Sequence, residues 1–140
     1  MEARTPFHLA IPVGDLGRAR EFYCGALRCP TGREAERWLD LDFFGHQLTL
    51  HLVGSMPADT SFNVVDSEAV PVRHFGAILP RPEWEKLRDR LVSNGTDFVI
   101  APTVRFAGQT GEQHTMFLRD PSGNALEFKS FADPAQLFAS

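Results

Sequence analysis

Two histidines and a glutamate stand at matching points of the chain, and all three are residue types that bind transition metals. His8 lies in the short apolar stretch Phe7–Pro12, and His74 lies in the similar stretch Val72–Leu79. Glu127 follows a glycine turn near the carboxyl end. Two imidazoles with one carboxylate are a common ligand set for zinc and for non-haem Fe(II). These residues therefore predict a metal-centred site.

The ligand types recur because the order of elements occurs twice, in copies of roughly 60 residues. Each copy has a short apolar strand, an amphipathic helix and further strands that end in a hairpin turning at glycine. We predict one domain, 1–140, with a first module at 6–53, a linker at 54–71, a second module at 72–131 and a tail at 132–140. Pseudo-symmetry between the modules would bring the candidate ligands together.

The helices are predicted from apolar spacing and capping residues. Asp15 is a typical N-cap for a helix that extends to Leu27. A second helix is predicted over 83–92, stopped by Asn94-Gly95. A short terminal helix is predicted within 133–140.

The strands are predicted from apolar runs between turn residues. In Trp38–Phe44, Asp40 and Asp42 alternate with apolar residues, which predicts one solvated face. Residues 54–70 show no periodicity and are predicted to be a linker. Each module is therefore β-α-β-β-β, an α+β fold of mixed sheets with helices on their outer faces. The other predicted strands are Gln47–Val53, Phe98–Phe106, Thr115–Arg119 and Ala125–Phe131.

Alternation of side chains along a strand tests whether the ligands can converge. His8 shares a face with Ala10, and His74 shares one with Gly76, each opposite larger apolar neighbours. Glu127 likewise lies opposite apolar residues. Small residues beside the candidate ligands leave room for a metal and a substrate.

A fourth position near the metal is open between two residues of the first module. When the two copies are aligned at the glycine turn, Thr49 is the counterpart of Glu127. When they are aligned loosely by the length of the hairpin, His51 is the counterpart. Both lie on the same strand face, so either could approach the metal. His46 and His114 are predicted to be surface or supporting residues.

These motifs resemble the vicinal oxygen chelate superfamily, which includes glyoxalase I, extradiol ring-cleaving dioxygenases, methylmalonyl-CoA epimerase, and fosfomycin and bleomycin resistance proteins. The resemblance covers residues 6–131 and implies two βαβββ modules that form a curved mixed-sheet cup. The last matching stretch contains the family's Asp-Pro-x-Gly-x-x-x-Glu turn and is the most specific. The matching stretches are residues 8–15, 21–27 and 119–127.

The resemblance also implies a ligand set. It places a divalent metal on His8, His74 and Glu127 inside the cup, with residue 49 or 51 beside it; His51 is the predicted ligand. Small predicted extradiol-type dioxygenases are the nearest subgroup, which favours Fe(II), with nickel, zinc or manganese as alternatives. The family further implies a homodimer, for which no residue pattern gives separate support.

Four residues are candidates for lining the substrate site. As alternatives, Arg105 and Lys129 are solvated surface residues and Phe117 is a core residue. One of them departs from the family pattern: characterised extradiol enzymes generally carry a tyrosine ten residues before the carboxylate ligand, where this chain has Phe117. A phenyl ring supplies no proton or hydrogen bond. The candidates are Thr49, Phe117, Lys129 and Arg105.

Several functions share this ligand set, and no catalytic acid or base is singled out. The favoured one is an extradiol-type dioxygenase acting on a small substrate with two neighbouring oxygens. The alternatives are a glyoxalase-type lyase or isomerase, a thiol transferase of the fosfomycin-resistance type and a non-enzymatic drug-binding protein. A binder does not need all three ligands, so their presence argues against it.

Composition excludes other classes. Apolar residues make up 43% and charged residues 23%, with a net charge of −4, as in ordinary soluble proteins. No cluster of Lys and Arg predicts binding to nucleic acid or to a membrane, and no apolar run predicts a signal peptide or a membrane span. Cys24 and Cys29 lack a C-x-x-C spacing, which favours reduced thiols and a cytoplasmic location.

Overall fold

The computed structural model describes residues 5–58 and 61–140, and the chain divides after Ala58 into two units. Residues 1–4 of the predicted domain, and residues 59 and 60 of the predicted linker, lie outside the described residues. Each unit contains the predicted β-α-β-β-β order, which confirms the α+β fold class with mixed sheets.

The elements of the first unit are β1 (His8–Val13), α1 (Leu16–Arg20), a π-helical continuation (Glu21–Ala26), β2 (Thr31–Ala35), β3 (Trp38–Phe43) and β4 (His46–Leu52). Those of the second unit are β5 (Phe62–Val65), β6 (Glu68–Pro71), β7 (Phe75–Ile78), α2 (Arg81–Ser93), β8 (Ile100–Arg105), β9 (Gln113–Arg119), β10 (Ala125–Phe131) and a 3₁₀ turn (Pro134–Gln136).

The two main sheets have the same topology. Their strand orders are β1-β4-β3-β2 and β7-β10-β9-β8. In each sheet the first and last strands of the module pair in parallel and the other pairs are antiparallel. A bulge interrupts the outer pair at the same point in both sheets, between Thr31 and Glu34 in one and between Ile100 and Thr103 in the other. The repeat seen in the sequence is therefore a repeat of strand register.

The first helix begins where the capping residue predicts. The Asp15 carboxylate accepts a hydrogen bond from the backbone N–H of Arg18 at 2.9 Å. The helix then widens into a π-helical turn, in which the Leu27 N–H donates to the carbonyl of Phe22. Tyr23, in this turn, is fully buried, so the apolar side of the helix covers the sheet.

The second helix starts two residues earlier than its predicted bounds, at Arg81, and ends before Asn94. Trp84 anchors it, because the indole Nε1–H donates to the carbonyl of Phe128 in β10 at 2.9 Å. Leu87 and Leu91, one and two turns on, are buried against the sheet. Within the part of the chain that the structure describes, no helix is long and apolar enough to cross a membrane.

Part of the predicted linker forms a β-hairpin, because two short apolar runs flank a tight turn. Strands β5 and β6 pair around Asp66 and Ser67, whose φ angles of 48° and 66° are those of a type I′ turn. Val70 of β6 packs with Ile100 and Phe117 in a buried cluster of the second unit. Strands of only four residues are too short to give a periodic pattern, so the sequence did not reveal them.

Gly76→Ala should severely destabilise the protein. The added Cβ would lie 1.5 Å from the carbonyl oxygen of Glu127, so the backbones of β7 and β10 would have to separate. We expect a loss of about 3 kcal/mol or more in the free energy of unfolding, measured by urea denaturation. Gly25→Ala is the control, because beyond its own stretch of helix its Cβ would meet no atom within 4 Å. Equal unfolding midpoints for the two variants would contradict the close strand contact.

His114 should make stability depend on pH. Burial lowers the pKa of its imidazole below 6.5, the charge of Arg81 lowers it further, and Glu112 and Glu85 only partly oppose this. The neutral ring lies edge-on to Trp84, with centroids 5.4 Å apart. Because the folded pKa is depressed, this contribution to stability is present above the unfolded pKa and is lost as pH falls through the folded pKa.

His114→Phe keeps the ring contact and removes this titration. We therefore expect the free energy of unfolding to fall less steeply between about pH 7.5 and 5.5 in the variant than in the wild type. Arg81→Met should also reduce the slope, because it removes the second cause of the shift. Identical slopes in the wild type and in His114→Phe would contradict the assignment.

Candidate functional site

The best-defined part of the candidate site surrounds Glu127 in the middle of β10. Its neighbours across the sheet are Gly76 in β7 and Phe117 in β9. The carboxylate is 7% exposed, and its Oε2 accepts a 2.5 Å hydrogen bond from the Thr115 hydroxyl. The other oxygen, Oε1, lies 3.4 Å from Nε2 of His74. The carboxylate is therefore held through one oxygen and presents the other to the imidazole.

His74 is oriented by the backbone of the hairpin that precedes it. It lies directly before β7, and its Nδ1 is 2.7 Å from the carbonyl oxygen of Pro71. Since a carbonyl only accepts, Nδ1 carries the proton and Nε2 faces Glu127. The ring also meets Phe117 edge-on, with centroids 4.9 Å apart. Histidines that bind metals are commonly oriented in this way through their second nitrogen.

The electrostatics of the pair favour a positive charge beside Oε1. The hydrogen bond with Glu127 raises the pKa of His74, and this outweighs the opposing effect of burial. Burial alone would raise the pKa of Glu127, but hydrogen bonds from His74 and Thr115 outweigh it, so the pKa is lowered. The carboxylate thus stays ionised and fits a cation at this position.

The predicted residues of the first unit share one sheet face. His8 pairs with Gln47, and two steps along each strand Ala10 pairs with Thr49. His51 follows on the same face, opposite Pro12. His8 and His51 are exposed, whereas Thr49 is 7% exposed.

A buried carboxylate lies on this same face. Asp40 in β3 is 7% exposed, and its two oxygens accept hydrogen bonds from Thr49 Oγ1 at 2.6 Å and Gln47 Nε2 at 3.2 Å. The prediction of a solvated face is therefore wrong for Asp40 and correct for Asp42, which is exposed. Polar residues at matching alternate positions of two adjacent strands were the sequence signal for this network.

The registers of the two sheets decide which residue of β4 matches Glu127. Ala10 stands two residues after His8 and pairs with Thr49; Gly76 stands two residues after His74 and pairs with Glu127. Thr49 is therefore the counterpart of Glu127 in the repeat. His51, two residues after Thr49, corresponds in the same way to Lys129, two residues after Glu127.

The remaining substrate-site candidates differ in their surroundings. The Lys129 Nζ lies 3.8 Å from Glu127 Oε1. Arg105 is 4% exposed, its Nη2 donates to the carbonyl of Val65 in the hairpin, and among the described residues its Nε has no hydrogen-bond partner. Arg105 thus ties the hairpin to β8.

The two other histidines have local roles. The His46 Nδ1 accepts a hydrogen bond from the Phe7 N–H at 2.7 Å, which joins the start of β4 to the residue before β1. His114 lies under α2 against Trp84.

Within the second unit the structure brings together His74, Glu127, Phe117 and Lys129. His8, Thr49 and His51 belong to the first unit. In the described ranges 5–58 and 61–140, no three His, Cys, Asp or Glu side chains form a group that could hold a metal ion. The complete ligand set therefore stays a prediction.

Thr115→Val should raise the pKa of Glu127 in the metal-free protein, because it removes one of the two hydrogen bonds that favour the charged carboxylate. A carbon-detected NMR titration of the glutamate carboxylates measures the change. Thr103→Val is the matched control, since Thr103 pairs with Thr115 but is exposed. A Glu127 pKa that does not rise in Thr115→Val would show that the hydroxyl does not stabilise the carboxylate.

Comparison with known proteins agrees with this architecture. The model of the Glyoxalase/Bleomycin resistance protein/Dioxygenase superfamily matches residues 5–128. Among curated proteins, none matches the chain. A crystal structure of a glyoxalase/bleomycin resistance protein/dioxygenase from Alicyclobacillus acidocaldarius is 35% identical over 96% of each chain, with a TM-score of 0.82.

Two more distant structures are similar in fold alone. A lactoylglutathione lyase from Agrobacterium tumefaciens is 17% identical over the whole of both chains, with a TM-score of 0.67. A genomically encoded fosfomycin resistance protein from Listeria monocytogenes is 12% identical over 97% of this chain and 98% of its own, also with a TM-score of 0.67. By its matching family model and its 35% identical relative, the chain belongs to the Glyoxalase/Bleomycin resistance protein/Dioxygenase superfamily.

Proposed function

We propose that this chain is a metal-dependent enzyme in which His8, His74 and Glu127 bind one divalent metal ion, with His51 beside it. The substrate is a small molecule that presents two neighbouring oxygens to the metal. The observation that carries the proposal is the pairing of His74 Nε2 with Glu127 Oε1 at 3.4 Å. The imidazole is anchored through its other nitrogen, and the carboxylate through its other oxygen.

The residues fit a metal by their chemistry. Neutral imidazole nitrogen and ionised carboxylate are the donors that Fe(II), zinc, nickel and manganese accept. Such an ion, when bound, polarises substrate oxygens and stabilises negative charge on them. Thr115 holds Glu127 ionised, and the Pro71 carbonyl accepts from the Nδ1–H of His74. Nε2, which donates to Glu127 in the metal-free protein, is the nitrogen that would bind a metal after losing its proton.

Phe117 contributes an apolar wall at this position. It is 1% exposed, pairs with Glu127 across the sheet and packs against the His74 ring. It restricts rotation of the imidazole and keeps water away from that side of the carboxylate. Thr49, Lys129 and Arg105 complete the proposed substrate-site residues.

For the reaction we propose ring cleavage by an extradiol-type dioxygenase with Fe(II). The two-histidine, one-carboxylate set supports it, and the names of the family and of the 35% identical relative both include dioxygenases. A second candidate is a lyase, an isomerase or a thiol transferase that uses nickel, zinc or manganese. Phe117 favours this candidate, because it offers no hydroxyl to an oxygen intermediate.

Glu127→Ala should abolish most metal binding. The variant loses the only carboxylate of the proposed set, so metal per chain should fall from about one to well below one, measured by elemental analysis after dialysis. Glu83→Ala is the control, because Glu83 is exposed in the first turn of α2. Full stoichiometry in Glu127→Ala, with cooperative unfolding retained, would show that the ligand is a different residue.

Reconstitution with Fe(II) tests the reaction. Protein loaded with Fe(II) without oxygen, then given oxygen and a panel of catechols, should consume oxygen and form a yellow ring-opened product. No oxygen uptake with iron, together with turnover of a thiol hemiacetal or of a thiol and an epoxide with nickel, zinc or manganese, would establish the second candidate. Ligand binding without turnover under every condition would indicate a drug-binding protein.

A homodimer and a cytoplasmic location also stay predictions. The homodimer rests on family membership. The location rests on composition and on the free thiols of Cys24 and Cys29.

A further inference from the structure

Lys129 is a cation placed beside the proposed metal ligand. It is one of only two lysines in the chain, the other being Lys86 on α2. Its side chain is 32% exposed, and its Nζ lies 3.8 Å from Oε1 of Glu127. This is the same carboxylate oxygen that faces His74.

The face around Lys129 holds a single carboxylate. The structure describes all of β7 to β10. Their registers place Ile78 and Thr115 beside Lys129, and Glu127 stands two residues before it on the same face of β10. Of the other residues that these registers place on the face, the charged ones are Arg105 and Arg119, and both are cationic.

In the proposed function, on which the inference rests, Glu127 binds a metal. A metal bound there would share the negative charge that otherwise pairs with Lys129. The ammonium then stands partly buried beside a dication, without a matching anion on its own sheet face. Burial of an unpaired charge is unfavourable, so an anion from outside the chain is favoured there.

We infer that Lys129 binds an anionic group of the substrate, and that the substrate class is compounds with a carboxylate close to the chelating oxygen pair. The carboxylate of the substrate must be close to the oxygen pair because Lys129 Nζ is only 3.8 Å from Glu127 Oε1, the oxygen proposed to face the metal. The anion must therefore lie within a few bonds of the metal-bound oxygens. Ile78 and the Phe131 ring, whose centroid is 6.0 Å from Nζ, provide apolar contact for the rest of such a molecule.

Two matched probes test this assignment. Catechol and 2,3-dihydroxybenzoate share the oxygen pair and differ by one carboxylate next to it. Zinc-loaded protein avoids turnover, since zinc has no redox chemistry, and calorimetry gives both affinities. In the wild type the carboxylated probe should bind about tenfold more tightly, as for one charge-assisted hydrogen bond.

Lys129→Met should bring the ratio of the two affinities, each measured on zinc-loaded protein, down to about one. Lys129→Arg should keep most of the preference, because the charge is retained. The same ratio of affinities in the wild type and in Lys129→Met would overturn the inference, even if zinc binds as proposed.

A second readout follows Lys129 directly. Reductive methylation with ¹³C-formaldehyde keeps the positive charge and labels both lysines; Lys129→Met assigns the signals, and the exposed Lys86 is the internal reference. Zinc should shift the Lys129 signal, and 2,3-dihydroxybenzoate should shift it again. A Lys129 signal that responds no more than that of Lys86 would contradict the inference.

Metal-free Glu127→Gln separates the two proposals. In this variant Lys129 has lost its carboxylate partner without any metal, so 2,3-dihydroxybenzoate should shift its signal. If the wild type binds no zinc, the metal site is refuted. A shift of the Lys129 signal in Glu127→Gln would then still retain Lys129 as an anion-binding residue. No shift here, with normal zinc binding in the wild type, would refute the role of Lys129 alone.

Discussion

The close parallel pairing of β7 with β10 is the constraint on which the second unit depends. At Gly76 the two backbones approach so closely that no side chain fits between them. This contact sets the register that places His74 next to Glu127 and Phe117 opposite it. A slip of one residue would turn Glu127 towards the apolar side of the sheet and replace it with an apolar neighbour.

The segment between the two modules also supports the candidate site. The hairpin β5–β6 provides the Pro71 carbonyl that orients His74, and Val70 of this hairpin packs against Phe117 of β9. Arg105 donates to the Val65 carbonyl, and Asp66 accepts from the backbone at the end of β8. A short hairpin with little core of its own is thus held by the sheet, and it in turn fixes the imidazole.

Both modules bury a carboxylate on the face that carries the candidate ligands, but on different strands. In the first unit the carboxylate is Asp40 in β3, and its threonine partner Thr49 is in β4. In the second the carboxylate is Glu127 in the last strand, and its partner Thr115 is in the antiparallel neighbour. The two modules therefore share a register but differ in chemistry, and among the described residues only the second presents a carboxylate oxygen to a histidine and a lysine.

The sequence by itself determined the element order, the repeat and the face on which each candidate ligand lies. Alternation along strands, the Asp15 cap and the glycine turns are local properties, so they can be read without tertiary contacts. Tertiary structure decided the rest. Partners in a strand pair are far apart in sequence, so only the fold could show that Thr49 matches Glu127 and that Asp40 is buried. The anchoring of His74 by Pro71 depends on a hairpin too short to give a periodic signal.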